Sequence, residues 1–231
     1  INRLLEDREA DFGVGGYGEN RPVYTTDDFA QEGNDGPRWR TVHLGLDVWG
    51  LPGTPVYAPF NATVHSCGID PTKHGYGNVL ILEHQESGIS FYTLYGHLSA
   101  ASLKGIRAGT RVQSGVEIAR FGAPDENGGW PPHLHFQVTL DMLDYVGDFP
   151  GVAYPEEADL WLQLCPNPGP FLDVFVPPAS TPQSEILRSY DKEIEAPSFH
   201  QMPILLAGQV IEDARRKSLG RSLSLSYQQP I

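Results

Sequence analysis

The stretch WPPHLHFQV, residues 130–138, determines the predicted fold and function of this chain. It predicts a β-strand that is entered through a rigid Pro-Pro turn. Because side chains alternate between the two faces of a strand, the apolar residues 134, 136 and 138 are expected to point into a core. His133, His135 and Gln137 then share the opposite face.

The two histidines of this stretch would lie about 6–7 Å apart at the backbone, given the rise of a strand. This spacing is too long for a mutual hydrogen bond in most rotamers. It suits one imidazole that binds a metal and a second one held over a metal-bound water. The alternative is a pair of surface histidines on a half-exposed strand, since histidine is common both as a metal ligand and at surfaces.

A second stretch, TVHLGLDVW at residues 41–49, is also strand-like and places His43, Gly45 and Asp47 on one face. In a straight strand His43 and Asp47 would be about 13 Å apart, so they share an ion only if the chain bends between them. A bend is least costly at Gly45. The sequence therefore predicts a kinked strand or a bulge at Gly45.

Together the two stretches provide His43, Asp47 and His135 as a candidate set of metal ligands. Three protein ligands with an open fourth position are typical of a catalytic zinc. A thiolate site is not favoured, because Cys67 and Cys165 lack zinc-like spacing. These cysteines form either a disulfide or two free thiols.

Three motifs, taken in order, resemble those of the lysostaphin/LytM-type zinc endopeptidases: His43-x-x-x-Asp47, YGHL at residues 95–98, and HLH at residues 133–135. The runs at residues 53–59 and 77–84 are similar to that family as well. The resemblance covers about residues 41–140. The chain departs from the family pattern at residues 128–132, where GGWPP replaces the small polar residues and glycine that often precede the His-x-His motif.

This resemblance implies that His43, Asp47 and His135 bind zinc and that His97 and His133 are the catalytic histidines. It implies a zinc metalloendopeptidase that hydrolyses a peptide bond in peptidoglycan cross-links or in a related short peptide. Zinc would lower the pKa of bound water to about 7 and polarise the peptide carbonyl. No glutamate lies in an H-E-x-x-H arrangement, so a thermolysin-like general base is not predicted.

The composition favours a mainly β fold of antiparallel sheets with a short helical C-terminal extension, and the resemblance implies that this fold is of the LytM/lysostaphin peptidase type. The 231 residues include 25 Gly and 20 Pro, which favour turns and short strands over long helices. Short apolar runs separated by turn residues indicate antiparallel sheets. A net charge of −13 argues against nucleic acid and anionic membranes as partners. No apolar run is long enough to span a bilayer.

The chain is expected to have three parts: an N-terminal lead segment (1–40), a LytM-type zinc peptidase domain (41–165), and a proline-rich linker with a helical tail (166–231). In the lead, the acidic run 27–35 is predicted to be an exposed loop, and such a lead is a candidate to cover the metal site with an Asp or Asn. Helices are predicted at residues 156–164, 184–190 and 208–219. We interpret His65, His74 and His84 as surface or strand residues.

Residues 215–227 resemble the opening of a class III aminotransferase domain. This second resemblance implies covalent neighbour domains in a larger multidomain fusion. Together with the lack of a visible signal peptide, it favours a cytoplasmic location, whereas a wall peptidase would act in the cell envelope. The tail also favours two alternatives to the peptidase, each within such a fusion: a peptide-binding or regulatory module, and a small-amide hydrolase.

Overall fold

The structure, a computed structural model, describes residues 1–25, 27–33, 36–86 and 88–172. This part is mainly β, as predicted. Its strands are β1 (Gly13–Gly15), β2 (Ala30–Gly33), β3 (Gly36–Trp39), β4 (Val42–His43), β5 (Leu46–Trp49), β6 (Pro55–Tyr57), β7 (Ala62–Asp70), β8 (Gly77–Glu86), β9 (Ile89–Leu98), β10 (Arg111–Val112), β11 (Glu117–Arg120), β12 (His133–Thr139) and β13 (Val152–Ala153). Its α-helices are α1 (Asn2–Glu6) and α2 (Ala158–Leu164).

One seven-stranded antiparallel sheet positions the three sequence motifs. Its strand order is β1-β5-β12-β9-β8-β7-β10. β12 carries the HLH motif and lies between β5 and β9, so that His135 is opposite Asp47 on one side and Gly96 on the other. Because paired strands are only about 4.8 Å apart, motifs that are distant in the sequence meet in the middle of this sheet.

Apolar side chains cover both faces of the sheet. Leu134, Phe136 and Val138 belong to one buried cluster, which confirms the predicted core face of β12. Leu44 and Ile81 belong to a second buried cluster. Alternate residues of β8 enter the two clusters, which explains why that strand is apolar along most of its length.

The face of β12 that carries His133, His135 and Gln137 is buried as well. The exposed fractions of these residues are 4%, 3% and 0%. The alternative of two surface histidines on a half-exposed strand is therefore wrong.

Residues 27–33, the described part of the acidic run 27–35, are not the exposed loop that the composition predicts. It contains a 3-10 turn at Asp27–Phe29, followed by β2, which pairs antiparallel with β3. Phe29 is buried, and its ring centroid is 4.6 Å from that of Tyr24. A single buried apolar residue thus anchors this segment. The mostly acidic composition of the run gives no sign of that burial.

The C-terminal side of the described part is more closely packed than a linker would be. The helix predicted at 156–164 is present as α2, after a 3-10 turn at Pro155–Glu157. The proline-rich linker predicted from residue 166 begins with a 3-10 turn at Gly169–Leu172, and its Phe171 packs on the core. The rest of that linker, the helices predicted at 184–190 and 208–219 and the aminotransferase-like tail lie outside the described residues.

Two further expectations concern the cysteines and membrane insertion. Cys67 and Cys165 are both free thiols, so the disulfide alternative is wrong. Across the ranges that the structure describes, no helix combines the length and the apolar character needed to cross a bilayer.

Candidate metal centre

The three candidate ligands come from neighbouring strands and are buried. His43 ends β4, Asp47 lies on β5, and His135 lies on β12 opposite Asp47. One ligand atom from each lies within 4.8 Å of the other two. His43 Nε2 is 2.9 Å from His135 Nδ1, and Asp47 Oδ1 is 3.3 Å from each of these nitrogens.

Gly45 allows His43 and Asp47 to meet. β4 ends at His43 and β5 begins at Leu46, with a bend at Gly45 between them, which confirms the predicted kink. A Cβ at position 45 would lie 2.5 Å from His135 Nε2 and 2.8 Å from the carbonyl oxygen of Phe136. The close approach of the His135 ring, and not only the bend, therefore requires glycine here.

Hydrogen bonds orient the two ligand imidazoles so that their free nitrogens face each other. His43 Nδ1 donates to Gly16 O at 3.0 Å, and His135 Nε2 donates to Gln137 Oε1 at 2.9 Å. These acceptors assign the proton of each neutral ring to its outer nitrogen. Lone pairs then face each other across the 2.9 Å between His43 Nε2 and His135 Nδ1. Because two lone pairs repel, this arrangement requires a cation or a shared proton.

Asp47 has one oxygen that is paired and one that is not. Its Oδ2 accepts a hydrogen bond from Arg21 Nη1 at 2.5 Å, whereas its Oδ1 is buried without a hydrogen-bond donor. Burial acts to raise the pKa of Asp47, but His43 and Arg21 outweigh it and hold that pKa well below its usual range. A buried anionic oxygen without a donor is costly unless a cation binds it.

This donor set fits a zinc ion. Zinc bonds of about 2.0–2.2 Å at tetrahedral angles separate the ligand atoms by roughly 3.3–3.5 Å. Two of the three separations here are 3.3 Å, and the third is slightly shorter at 2.9 Å. Two imidazole nitrogens and one carboxylate oxygen leave a fourth position for water or substrate.

Two more imidazoles, those of His97 and His133, lie beside this ligand set. Their ring centroids are 4.1 Å apart, and His133 Nε2 is 3.9 Å from Asp47 Oδ1. His97 Nδ1 donates to Asn127 O at 2.8 Å, and His133 Nδ1 donates to Pro131 O at 2.7 Å. In the neutral rings both Nε2 atoms therefore carry a lone pair.

Burial keeps the imidazoles of His43, His97 and His133 neutral. It lowers the pKa of His43 to about 4, lowers that of His133, and lowers that of His97 well below its ordinary value. A neutral imidazole is the form that binds a metal or accepts a proton. All three rings are therefore in the form that metal binding and proton transfer require at neutral pH.

The backbone of His97 is strained. Its φ of +61° is in the left-handed region, near the end of β9. Such a conformation costs a non-glycine residue roughly 1–3 kcal/mol and is concentrated at functional sites. Here the His97 N–H donates to Tyr76 O at 2.9 Å, which helps to hold the imidazole beside His133.

The site opens into a cleft of about 400 Å³. Aromatic side chains form much of its wall: Tyr24, Phe29, Trp49, Tyr76 and Trp130. Trp49 stacks on His133 with ring centroids 5.7 Å apart, and Tyr24 meets Trp130 edge-on at 6.1 Å. Apolar walls around a few convergent polar groups are the usual form of a ligand site.

The structure thus brings together all five residues that the sequence motifs single out. His74, expected to be a surface or strand residue, instead lines the cleft in the turn between β7 and β8, with its ring centroid 5.1 Å from that of Trp130. His65 and His84 lie on β7 and β8, as expected, and do not line this cleft.

Two residues at the site were not identified from the sequence. Arg21 contacts Asp47, and the hydroxyl of Tyr76 is 3.3 Å from His135 Nε2. The sequence feature that could have indicated Tyr76 is its position as an aromatic residue between Gly75 and Gly77. Arg21 belongs to no motif, so no local feature indicates it. In the described part of the lead, Arg21 lies beside the candidate ligand Asp47. Asn34 and Asp35, two candidates for the expected cover, lie outside the described residues.

Comparison with known proteins identifies similar sequences. Residues 41–144, less than half of the chain, match the model of peptidase family M23. An uncharacterized metalloprotease of Haemophilus influenzae is 34% identical over 99 residues, which are 43% of this chain and 19% of that protein. A lipoprotein NlpD/LppB homolog of Pseudomonas aeruginosa is 31% identical over 111 residues, which are 46% of this chain and 34% of that protein. The chain therefore spans about a fifth and a third of these two relatives.

Among solved structures, the antimicrobial peptidase lysostaphin from Staphylococcus simulans aligns with 25% identity and a TM-score of 0.45. The alignment covers 74% of this chain and 56% of lysostaphin. The family match ends at residue 144. These comparisons give no support to the aminotransferase-like tail, to the multidomain fusion or to the cytoplasmic location inferred from them.

Proposed function

Because residues 41–144 match the model of peptidase family M23, we propose that this chain is a zinc-dependent metalloendopeptidase. Its proposed substrate is a peptide bond in peptidoglycan cross-links or in a related short peptide. The observation that carries this proposal is the convergence of His43 Nε2, Asp47 Oδ1 and His135 Nδ1 beside two further neutral imidazoles. The matched H. influenzae relative is named a metalloprotease, which is consistent with this reaction class.

Each of the five residues has a proposed role. His43, Asp47 and His135 hold the zinc ion, which when bound supplies Lewis-acid activation of water and of the peptide carbonyl. The Nε2 lone pairs of His133 and His97 orient the attacking water and accept a proton from it, and the imidazolium so formed stabilises the developing oxyanion. The proton held by an imidazole then passes to the leaving amine, so that both products are released in stable protonation states.

The surroundings of His133 support this assignment. Its Nδ1–H is committed to Pro131 O, and its ring stacks on Trp49. These contacts fix the plane of the ring and leave Nε2 directed at the metal centre, 3.9 Å from Asp47 Oδ1. A group with this placement and a lowered pKa is suited to accept a proton at neutral pH.

A location in the cell envelope agrees best with this substrate. The P. aeruginosa relative is named a lipoprotein, and peptidoglycan lies outside the cytoplasm. Fractionation of the source cells tests this point, with the envelope fraction expected to hold the protein. The two alternatives of a binding module and a small-amide hydrolase are not favoured, because residues 41–144 match a peptidase family.

The test of the proposed function combines metal loading with hydrolysis. Zinc-loaded protein is incubated with purified peptidoglycan and with short glycine-rich peptides, and newly released amino groups are counted. We expect a chelator to abolish release and added zinc to restore it. His133→Ala should lower the rate about 10²–10⁴-fold while zinc stays bound, because His133 is not a proposed ligand.

His65→Ala is the matched control, because it removes a histidine that lies on β7 outside the cleft. Its rate should equal that of the unmodified protein. A zinc-loaded protein that releases no amino groups from any of these substrates would contradict the proposed function, and so would a fully active His133→Ala.

A further inference from the structure

The N-terminal residues 13–24 pack along the strands that carry two of the metal ligands. β1 pairs with β5 and places its last residue opposite Asp47. Farther along, the backbone N–H of His43 donates to Glu19 O at 3.0 Å. This segment precedes the residues 41–144 that match the peptidase family, yet it extends the sheet on which the metal centre is built.

This segment also supplies hydrogen bonds to two of the three ligand side chains. Gly16 O accepts the Nδ1–H of His43, and Arg21 Nη1 donates to Asp47 Oδ2 at 2.5 Å. The side chain of Arg21 is 11% exposed and that of Asp47 is 3% exposed. The ion pair is therefore shielded from solvent, and salt screens it little.

Arg21 is held in a single orientation by its own neighbours. Its Nε donates to Glu19 Oε2 at 3.0 Å, and its Nη1 donates to the hydroxyl of Tyr24 at 2.9 Å. Gly15 leaves room for this arrangement, because a Cβ there would lie 3.1 Å from Arg21 Nη2 and 2.2 Å from the ring of Trp49. A fixed guanidinium in turn fixes the carboxylate that it binds.

We propose that Arg21 is a positioning residue of the metal centre. By binding Oδ2 of Asp47, it directs Oδ1 to the point where His43 and His135 converge. The inference rests on the metal site of the proposed function. Without Arg21, Oδ2 is a buried anionic oxygen that has lost its ionic partner, and the carboxylate is free to rotate away from the two imidazoles.

The charge of Arg21 and the geometry it imposes act in opposite directions on zinc affinity. Its positive charge repels a bound cation, whereas its hydrogen bond orients a ligand oxygen. Loss of a hydrogen bond that orients a metal ligand typically weakens metal binding about 10–100-fold. We expect the geometric effect to dominate, because the guanidinium binds the oxygen that faces away from His43 and His135.

The test is the zinc dissociation constant, measured by competition with a chromogenic chelator. We expect Arg21→Ala to raise it about 10–100-fold and Arg21→Lys, which keeps the charge and one donor, to give an intermediate value. Arg120→Ala is the matched control, since it removes an arginine paired with Glu117 on the surface. Its dissociation constant should equal that of the unmodified protein.

Thermal unfolding of the zinc-free variants separates positioning from general stability. A merely structural role would lower the unfolding temperature of Arg21→Ala and leave the zinc affinity of its folded fraction unchanged, which would overturn the proposal. If Arg21→Ala does not fold, Arg21→Lys carries the test, with zinc binding several-fold weaker expected. Wild-type or tighter zinc binding by the folded variants would also overturn it.

This outcome is independent of the test of peptide hydrolysis. Unmodified protein that binds zinc but cleaves no peptide contradicts the proposed function alone. Arg21 variants that bind zinc normally contradict the positioning role alone.

Discussion

Each of the four imidazoles at the site is fixed by a hydrogen bond at one ring nitrogen. Three of the acceptors are backbone carbonyl oxygens, which remain under any side-chain substitution at those positions. The fourth is the side-chain amide of Gln137, which accepts from His135. Gln137 is therefore the acceptor that a mutation removes directly.

Gln137→Leu should weaken zinc binding about 10–100-fold. The reason is that His135 loses the acceptor that keeps its proton on Nε2 and leaves Nδ1 free for the metal. Competition with a chromogenic chelator measures the change. Gln163→Leu is the control, because Gln163 lies exposed on α2 and donates to Asp159 O. Equal zinc affinities for the two variants would show that Gln137 does not set the state of His135.

Gly45→Ala should impair both stability and zinc binding. The added Cβ would meet the His135 ring at 2.5 Å and the Phe136 backbone at 2.8 Å, so the ligand ring must shift. Overpacking of this kind costs about 1–3 kcal/mol, measurable by urea unfolding without zinc. At Gly13, by contrast, an added Cβ meets only the mobile end of Leu5, at 3.2 Å, and Trp49 at 3.9 Å. If Gly45→Ala and Gly13→Ala have the same free energy of unfolding and the same zinc affinity, the close approach of the His135 ring to position 45 is unimportant.

At the scale of secondary-structure elements, local patterns were sufficient for the strands that carry the ligands. Alternation along β12 predicted which residues enter the core and that His133 and His135 share a face. The chemistry of His43 and Asp47 predicted a bend, and Gly45 was the residue at which a bend costs least. These predictions succeeded because each depends on residues within nine positions of one another.

Contacts between distant elements were not predictable in the same way. Arg21 and Asp47 are 26 residues apart and meet because β1 pairs with β5, a tertiary pairing that no local period indicates. Phe29 was missed for another reason: it packs on nearby Tyr24, but a single buried ring does not show in the composition of an acidic run. His74 reaches the cleft through a turn with a φ of +62°, which the sequence did not suggest.

The turn at Gly169–Leu172 is predicted to belong to the domain and not to a flexible connection. Phe171 has ring centroids 5.7 Å from Phe60 and 5.8 Å from Phe91. Phe171→Ala should lower the free energy of unfolding by about 1–3 kcal/mol, less than for a fully buried phenylalanine, and leave zinc affinity unchanged. Phe12→Ala is the control, because Phe12 is 52% exposed. Identical urea unfolding curves for the two variants would refute this role.

Over the whole described molecule, segments on either side of the family match complete the domain. β1 adds an edge strand to the central sheet, Leu164 of α2 enters the second apolar cluster, and Phe171 packs on the first. A sheet covered on both faces buries the side chains in its middle, where the candidate metal centre lies at the floor of the cleft. This burial is the common cause of the lowered histidine pKa values.

The zinc-free protein should lose stability in mild acid. Burial lowers the pKa of His43 to about 4 and also lowers those of His84, His97 and His133 from 6.5. Below pH 6.5 the unfolded chain therefore binds more protons than the folded one, and stability falls as the pH drops towards 4. Each such histidine contributes at most about 1.4 kcal/mol per pH unit.

His84 tests this explanation without touching the site, because its Nε2 bonds the Thr93 hydroxyl outside the cleft. In urea unfolding of zinc-free protein between pH 7.5 and 5, the free energy of unfolding of His84→Gln should depend less on pH than that of the unmodified protein. An unchanged dependence would mean that His84 is not neutral in the folded protein, contrary to its lowered pKa.

Anomalous X-ray diffraction at the zinc edge, from crystals of the zinc-saturated protein, locates the metal directly. We expect one strong peak per chain, bonded to His43 Nε2, Asp47 Oδ1 and His135 Nδ1, with a non-protein ligand in the fourth position. No peak among these three atoms, or zinc bound only by other residues, would contradict it.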